Sequence, residues 1–228
     1  MKERVEHRSF SLSLRCNYLL APPARHEAGS LLVLALHGHS MTPEEMLTLS
    51  RRLVGDRHVI ASLQGPYQFW RFGDPERGVA FHWQTSFQPE ESRRLHHEMV
   101  LQVLRELAMP ATRTVLVGFS QSVSLNYRFL CTHTRAVRGA VAVCGGLPSD
   151  WDEAPYANAE ASVLHLATVN DHWYPPATTE PYPYRLRQRI PDVEFHLLDG
   201  GHRIPSAGRS IVEQWIERVF PPRDLAAG

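Results

Sequence analysis

Three polar side chains in this 228-residue chain have the types needed for nucleophilic catalysis. Ser120 lies in Gly118-Phe119-Ser120-Gln121-Ser122, between the apolar run 114–117 and a segment with helical patterning. A serine hydroxyl is a weak nucleophile at neutral pH and needs a general base. A strand-to-helix turn that exposes it needs small residues two positions to either side. Gly118 meets that requirement, and Ser122 stands where a second Gly is usual. His202, in Gly200-Gly201-His202, is the one among thirteen histidines that follows the last predicted strand and also comes after both serine and acid. The acid must hold the imidazole tautomer and stabilise its cation. Asp171 follows the preceding predicted strand. Asp199 competes, but a group on the same loop three residues before the base is poorly placed to reach behind its ring. Asp171 is therefore the expected partner, and Asp150 and Asp152 read as solvated. The backbone N–H groups of Gln121, next to the nucleophile, and of His39, in the loop after the run 31–36, are the expected oxyanion donors. His37 is expected to brace that loop.

Other chemistries find less support. His37-x-His39 has a metal-like spacing, but Ser40-Met41-Thr42-Pro43 supplies neither an acid nor a further histidine, so no metal is expected. Nor does any pattern call for a cofactor. Lys2 is the sole lysine, which excludes a P-loop and an internal Schiff-base lysine. Cys16, Cys131 and Cys144 form no CxxC pair and fit neither a disulfide framework nor a zinc ribbon; Cys131 and Cys144 read as small buried hydrophobes. His96 and His97 read as a solvated pair on a helix. A formal net charge of +0 gives no electrostatic case for a nucleic-acid partner, and Arg185, Arg187 and Arg189 make too short a stripe. Residues 1–15 do not read as a signal peptide, and the longest apolar run, 31–36, is far short of a membrane span. Cytoplasmic location is the resulting expectation; nothing in the pattern sets an oligomeric state.

These residues need elements to position them, and the chain alternates strand and helix patterns. The alternation at 10–15 predicts a half-exposed strand that residues 17–20 pair with or extend. Apolar runs at 31–36, 58–63, 114–117, 140–143, 163–166 and 193–198 predict strands buried in a parallel sheet. Helices are predicted from Thr42, an N-cap before Pro43, to about 53; over 89–109, with Leu95, Met99, Val103, Leu104 and Leu107 on one face; after Ser120 to about 134; around 184–190; and at the end, carrying Ile211, Val212, Trp215, Ile216 and Val219. Between them, residues 64–89 form a long loop with seven aromatics, a length that usually signals function. Those aromatics, with Trp173 and Tyr174, suit either an apolar substrate pocket or simple packing of the loops. Alternating βα units predict one α/β domain over 1–228, with helices on both faces of a mostly parallel sheet and ligands at the carboxyl ends of its strands.

With these stretches in place, the chain resembles the phospholipase/carboxylesterase group of α/β-hydrolases, which includes acyl-protein thioesterases. The resemblance rests on Leu36-His37-Gly38, Gly65-Pro66-Tyr67, Gly118-Phe119-Ser120-Gln121, Asn170-Asp171 with Pro175, and Gly201-His202. It implies a cofactor-independent hydrolase of small-molecule esters or thioesters working through an acyl-enzyme. Ser120, Asp171 and His202 would be its triad, and the His39 and Gln121 amides its oxyanion hole. The chain departs at Ser122 and at His39-Ser40, where an apolar residue and Gly are more usual. A hydrolase of amides or lactones, or a binding protein that keeps the fold, would carry the same outline.

Overall fold

The computed structural model describes residue 6, residues 8–24 and residues 29–221. In chain order the elements are β1 (Tyr18–Ala21), β2 (Leu32–Leu36), α1 (Pro43–Val54), β3 (Val59–Leu63), β4 (Tyr67–Trp70), β5 (Val79–His82), α2 (Pro89–Leu107), β6 (Thr114–Phe119), α3 (Gln121–Thr132), β7 (Gly139–Val143), β8 (Ser162–Thr168), α4 (Pro176–Thr179), α5 (Tyr182–Arg187), β9 (Val193–Leu198) and α6 (Gly208–Val219). Seven strands form a sheet in the order β1-β3-β2-β6-β7-β8-β9. Only β1 runs antiparallel.

Strands of this kind bury both faces, which explains their unbroken apolar sequences. In β2, Leu32, Leu34 and Leu36 face a core completed by α2, α3 and α5 through Met99, Val123, Phe129 and Leu186. Val33 and Ala35 point the other way, to Met46, Leu53, Val212 and Trp215 of α1 and α6. Helices thus cover both faces, as the alternating pattern predicts. The order reverses at β2, whose neighbours are β3 and β6. Such a switch point opens a crevice at the carboxyl ends of the strands. At its mouth, α1 starts with a capping box. Thr42 Oγ1 accepts from Glu45 N–H (3.3 Å) and Glu45 accepts from Thr42 N–H (2.8 Å), with Pro43 in the first turn. Glu45 also pairs with Arg71 at 2.8 Å, which ties the aromatic segment to α1. No helix among the described residues is long and apolar enough to cross a membrane.

Several sequence expectations need correction. Residues 10–15 form no strand, because the outer edge of β3 is taken by β1. Phe10 and Leu12 are consequently 86% and 82% exposed. The long loop is structured: β4 and β5 make an antiparallel hairpin, and Trp83 beyond it is completely buried. Its aromatics divide, with Trp83 packed in the core and Trp70, Phe72 and Phe87 exposed. Helix α5 starts and ends earlier than 184–190, and the short α4 precedes it. Asp150 is not simply solvated: it accepts from Arg128 and Arg93. His96 and His97 are not a solvated pair either. The buried stripe of α2 runs through Ser92, His96, Met99, Val100 and Val103, rotated from the face on which Leu95 and Leu107 sit. Part of the loop after β1, and both ends of the 1–228 span, lie outside the described residues.

His96 sits beside Asn126 with Trp83 edge-on at 5.5 Å, and burial lowers its pKa to about 3. Its folded pKa is below the value of 6.5 for a free histidine, so the unfolded chain binds the proton first. Stability is therefore fully present above pH 6.5 and declines as pH falls toward 3. Between about pH 7 and about pH 5 this group should remove roughly 2 kcal/mol from the unfolding free energy. Urea titrations of wild type and His96→Gln at both pH values test it: the variant should lose correspondingly less, and an identical loss in both proteins would rule His96 out.

Candidate active site

Ser120 occupies the turn between β6 and α3 with φ 54° and ψ −116°, a conformation that side-chain-bearing residues rarely adopt. Its neighbours explain how that backbone is held. Ser120 N–H donates to Val143 O of β7 (3.0 Å), and Val123 N–H donates to Ser120 O (3.1 Å). Space around the turn is minimal. A Cβ at Gly118 would lie 2.6 Å from Asn126 Nδ2, and one at Gly145 would lie 2.6 Å from Ser120 O and collide with Val123. The departure at Ser122 has a structural use. Its hydroxyl, completely buried, accepts from Phe119 N–H (3.1 Å) and donates to Leu36 O (2.7 Å). It therefore ties the turn to the end of β2, where the His37–His39 loop begins.

The other two predicted residues converge on this serine. His202 Nε2 is 2.9 Å from Ser120 Oγ, and His202 Nδ1 is 2.8 Å from Asp171 Oδ2. A carboxylate only accepts, so Nδ1 carries the proton and Nε2 is left to accept from the serine hydroxyl. The second Asp171 oxygen accepts from the N–H groups of Trp173 (2.9 Å) and Tyr174 (3.0 Å). Burial would raise the pKa of Asp171, but the bonds from His202 and these amides outweigh it, and the pKa is lowered. Cross-links between the loops after β8 and β9 fix the pair. Asn170 N–H donates to Gly200 O (2.9 Å), and Thr168 Oγ1 donates to Gly201 O (2.9 Å). Asp199 is exposed, and among the described residues it makes no hydrogen bond with His202.

The predicted oxyanion donors lie on the same edge. The N–H groups of His39 and Gln121 have no hydrogen-bond partner among the described residues. His37 braces its loop: Nδ1 donates to Gly38 O (2.7 Å) and Nε2 accepts from Gly65 N–H (2.9 Å). Burial lowers the pKa of His37 to about 4, so it is a neutral strut at pH 7. The His39 ring is instead exposed and stacks on His82 at 5.7 Å.

Several neighbours escaped sequence reasoning. Gln121 uses its side chain to grip the loop beyond β5, accepting from Trp83 N–H (2.9 Å) and donating to Gln84 O (3.1 Å). Beside it opens a cleft of about 470 Å³ lined by Gln84, Arg93, Gln121, Ser124, Arg128 and Leu147, more polar than the aromatic loop suggested. Cys144, just past β7, places Sγ with the Asp171 and His202 ligand atoms inside 4.8 Å of one another. Burial pushes its thiol up to about 12, leaving it protonated at neutral pH. It donates instead to Arg203 O at 3.3 Å. Its position after a strand was the one available signal.

A mostly parallel sheet, helices on both faces and a strained strand-to-helix turn at the switch point define an α/β-hydrolase fold. Neither a family model nor a curated protein matches the chain. Solved structures do. Esterase PE8 superposes with a TM-score of 0.73 at 18% identity, covering 90% of this chain and 100% of that one. A carboxylesterase from Mesorhizobium loti gives 0.72 at 19%, covering 91% and 97%. YahD, determined with malic acid, gives 0.71 at 12%, covering 90% and 100%. The expected resemblance to carboxylesterases thus holds at the level of the fold.

Replacing Ser122 by Ala should leave Leu36 O and Phe119 N–H without their buried partner and lower stability by about 1–3 kcal/mol. Equilibrium urea unfolding of Ser122→Ala against wild type checks this; unchanged stability would show that the hydroxyl is not a structural tie.

Proposed function

We propose that this chain is a serine hydrolase that cleaves small-molecule carboxylic esters or thioesters through an acyl-enzyme. The observation that carries the reading is the continuous relay from buried Asp171 through His202 to a serine held in a strained turn. Ser120 attacks the carbonyl carbon while its proton passes to His202 Nε2. The His39 and Gln121 amides receive the developing oxyanion. His202 then protonates the leaving alcohol or thiol, and Asp171 holds the ring and its charge throughout. In the second half His202 takes a proton from water, the acid departs, and Ser120 regains its proton.

No group in this scheme requires a cofactor or metal. The 1–228 span is read as one hydrolase domain. Free thiols at Cys16, Cys131 and Cys144 fit a reducing, cytoplasmic setting. Hydrolysis of p-nitrophenyl acetate and butyrate by wild type, Ser120→Ala and Asp171→Asn tests the proposal. Both variants should lose roughly 10³-fold or more in kcat. A fluorophosphonate should label Ser120 alone, as located by peptide mass spectrometry. Equal rates for wild type and Ser120→Ala would sink the reading; selective turnover of amides or lactones would move it to another bond.

A further inference from the structure

The cleft beside Gln121 carries two positive charges that the triad does not use. Part of its wall is one face of α3. Gln121, Ser124 and Arg128 line it, and their spacing of three and then four residues puts them on the same side of the helix. Gln121 directly follows the nucleophile, and the helical rise separates the Cα atoms of Gln121 and Arg128 by about 10 Å. The cleft therefore starts next to Ser120 and extends along α3. Leu147 also lines it, two residues after Gly145, where a Cβ would press on Ser120 O. At about 470 Å³ it has the size of a small-molecule site.

Arg93 of α2 and Arg128 of α3 are the only charged side chains among the lining residues. Both lean on one carboxylate: Asp150 accepts from Arg128 Nη1 at 2.7 Å and from Arg93 Nη1 at 3.3 Å. Glu90 also accepts from Arg93 Nη1 at 2.7 Å, but it is exposed, and water screens its charge. Arg128 Nη1 further meets the Tyr156 hydroxyl. A brace between α2, α3 and the loop after β7 accounts for these contacts, and it uses one nitrogen of each guanidinium. Nε and Nη2 of Arg128 and Nη2 of Arg93 bond nothing among the described residues, and Arg93 Nε is buried without a partner. Two cations sharing one inner carboxylate leave a positive charge uncompensated at the cleft. The Nε–Nη2 edge of a guanidinium matches the two oxygens of a carboxylate.

We propose that this cleft binds a carboxylate carried by the substrate, so that the ester cleaved at Ser120 is one that also bears an acid group. Arg128 and Arg93 receive the carboxylate, and the chain that joins it to the scissile carbonyl lies along α3 past Ser124 and Gln121. An arginine on a helix leans toward the N-terminus, which brings its guanidinium nearer the nucleophile than its Cα. A chain of a few carbons between carboxylate and ester then spans the gap. The anion can sit on the acyl side, as in a monoester of a dicarboxylic acid, or on the alcohol side, as in an ester of a hydroxy acid. This inference rests on the ester-hydrolase reading above and names the substrate class of that same site.

Hydrolysis followed by pH-stat at neutral pH compares matched esters. Monomethyl adipate against methyl hexanoate tests an anion on the acyl side, and 4-acetoxybutanoate against butyl acetate tests one on the alcohol side. Wild type should favour the anionic member of at least one pair by about tenfold or more in kcat/KM, mainly through KM. The preference should shrink as sodium chloride is added. The pair that shows it identifies the side. Arg93→Gln removes a positive charge from the cleft and Ser149→Glu adds a negative one. Each should cut the ratio of anionic to neutral kcat/KM by about tenfold. A purely structural role for these positions would slow both esters of a pair alike and leave the ratio as it is. That result in either variant, or no preference in wild type, would overturn the inference. If Ser120→Ala is inactive while wild type shows no preference, only the role of the cleft falls. If Ser120→Ala turns over as wild type does, the hydrolase reading falls and takes this inference with it.

Discussion

The hydrogen bond from Ser120 N–H to Val143 O holds the serine backbone in a conformation it would not choose, and the rest of the site is arranged around that constraint. A residue at φ 54° and ψ −116° persists only where its surroundings over-determine it. Here β7 supplies the acceptor, α3 begins immediately afterwards, and the missing side chains of Gly118 and Gly145 leave room for Asn126 and Val123. The hydroxyl therefore projects beyond the sheet edge instead of folding back to cap the helix, and among the described residues Ser120 makes no side-chain cap bond.

Parallel pairing then brings the other groups to the same edge. Strands β6, β8 and β9 run in one direction, so the loops that leave their carboxyl ends emerge together. Asp171 and His202 reach Ser120 from two of those loops, which Thr168 and Asn170 lace to Gly200 and Gly201. The carboxylate has three donors around it and is buried, so it stays charged and fixed beneath the imidazole. A ring held at both nitrogens has little freedom to turn away from the serine, which is the preorganisation that proton transfer needs.

Ser122 shows how a departure from a motif can be structural. A glycine would satisfy the crowding of the turn, and a serine satisfies it while also joining the turn to β2 through Leu36 O. That bond couples the Ser120 turn to the loop bearing the His39 amide. Trp83 and Gln121 add a second tie, since the indole donates to His37 O (2.9 Å) and the Gln121 side chain holds the Trp83 backbone. The aromatic segment thus acts partly as scaffold for the His37–His39 loop and Gln121, while its outer residues remain in solvent.

Legibility in the sequence followed the range of the interaction involved. Buried parallel strands announce themselves through local apolar runs, and caps such as Thr42 with Glu45 through short spacings, so the sheet, α1 and the order Ser120, Asp171, His202 were all readable along the chain. Choices settled by contacts between distant residues were not. Whether residues 10–15 pair depends on which strand occupies the edge of β3. Which side of α2 is buried depends on Trp83 and Asn126. The place of Tyr174 against His202 and Gly146 depends on separate strand ends meeting. By itself the sequence determined the fold class and singled out the three side chains that the structure brings together, because each is marked by its immediate neighbours. The strained turn at Ser120, the tie made by Ser122 and the enclosure of His202 were decided only by tertiary structure, because each requires atoms far apart in the chain to compete for the same space.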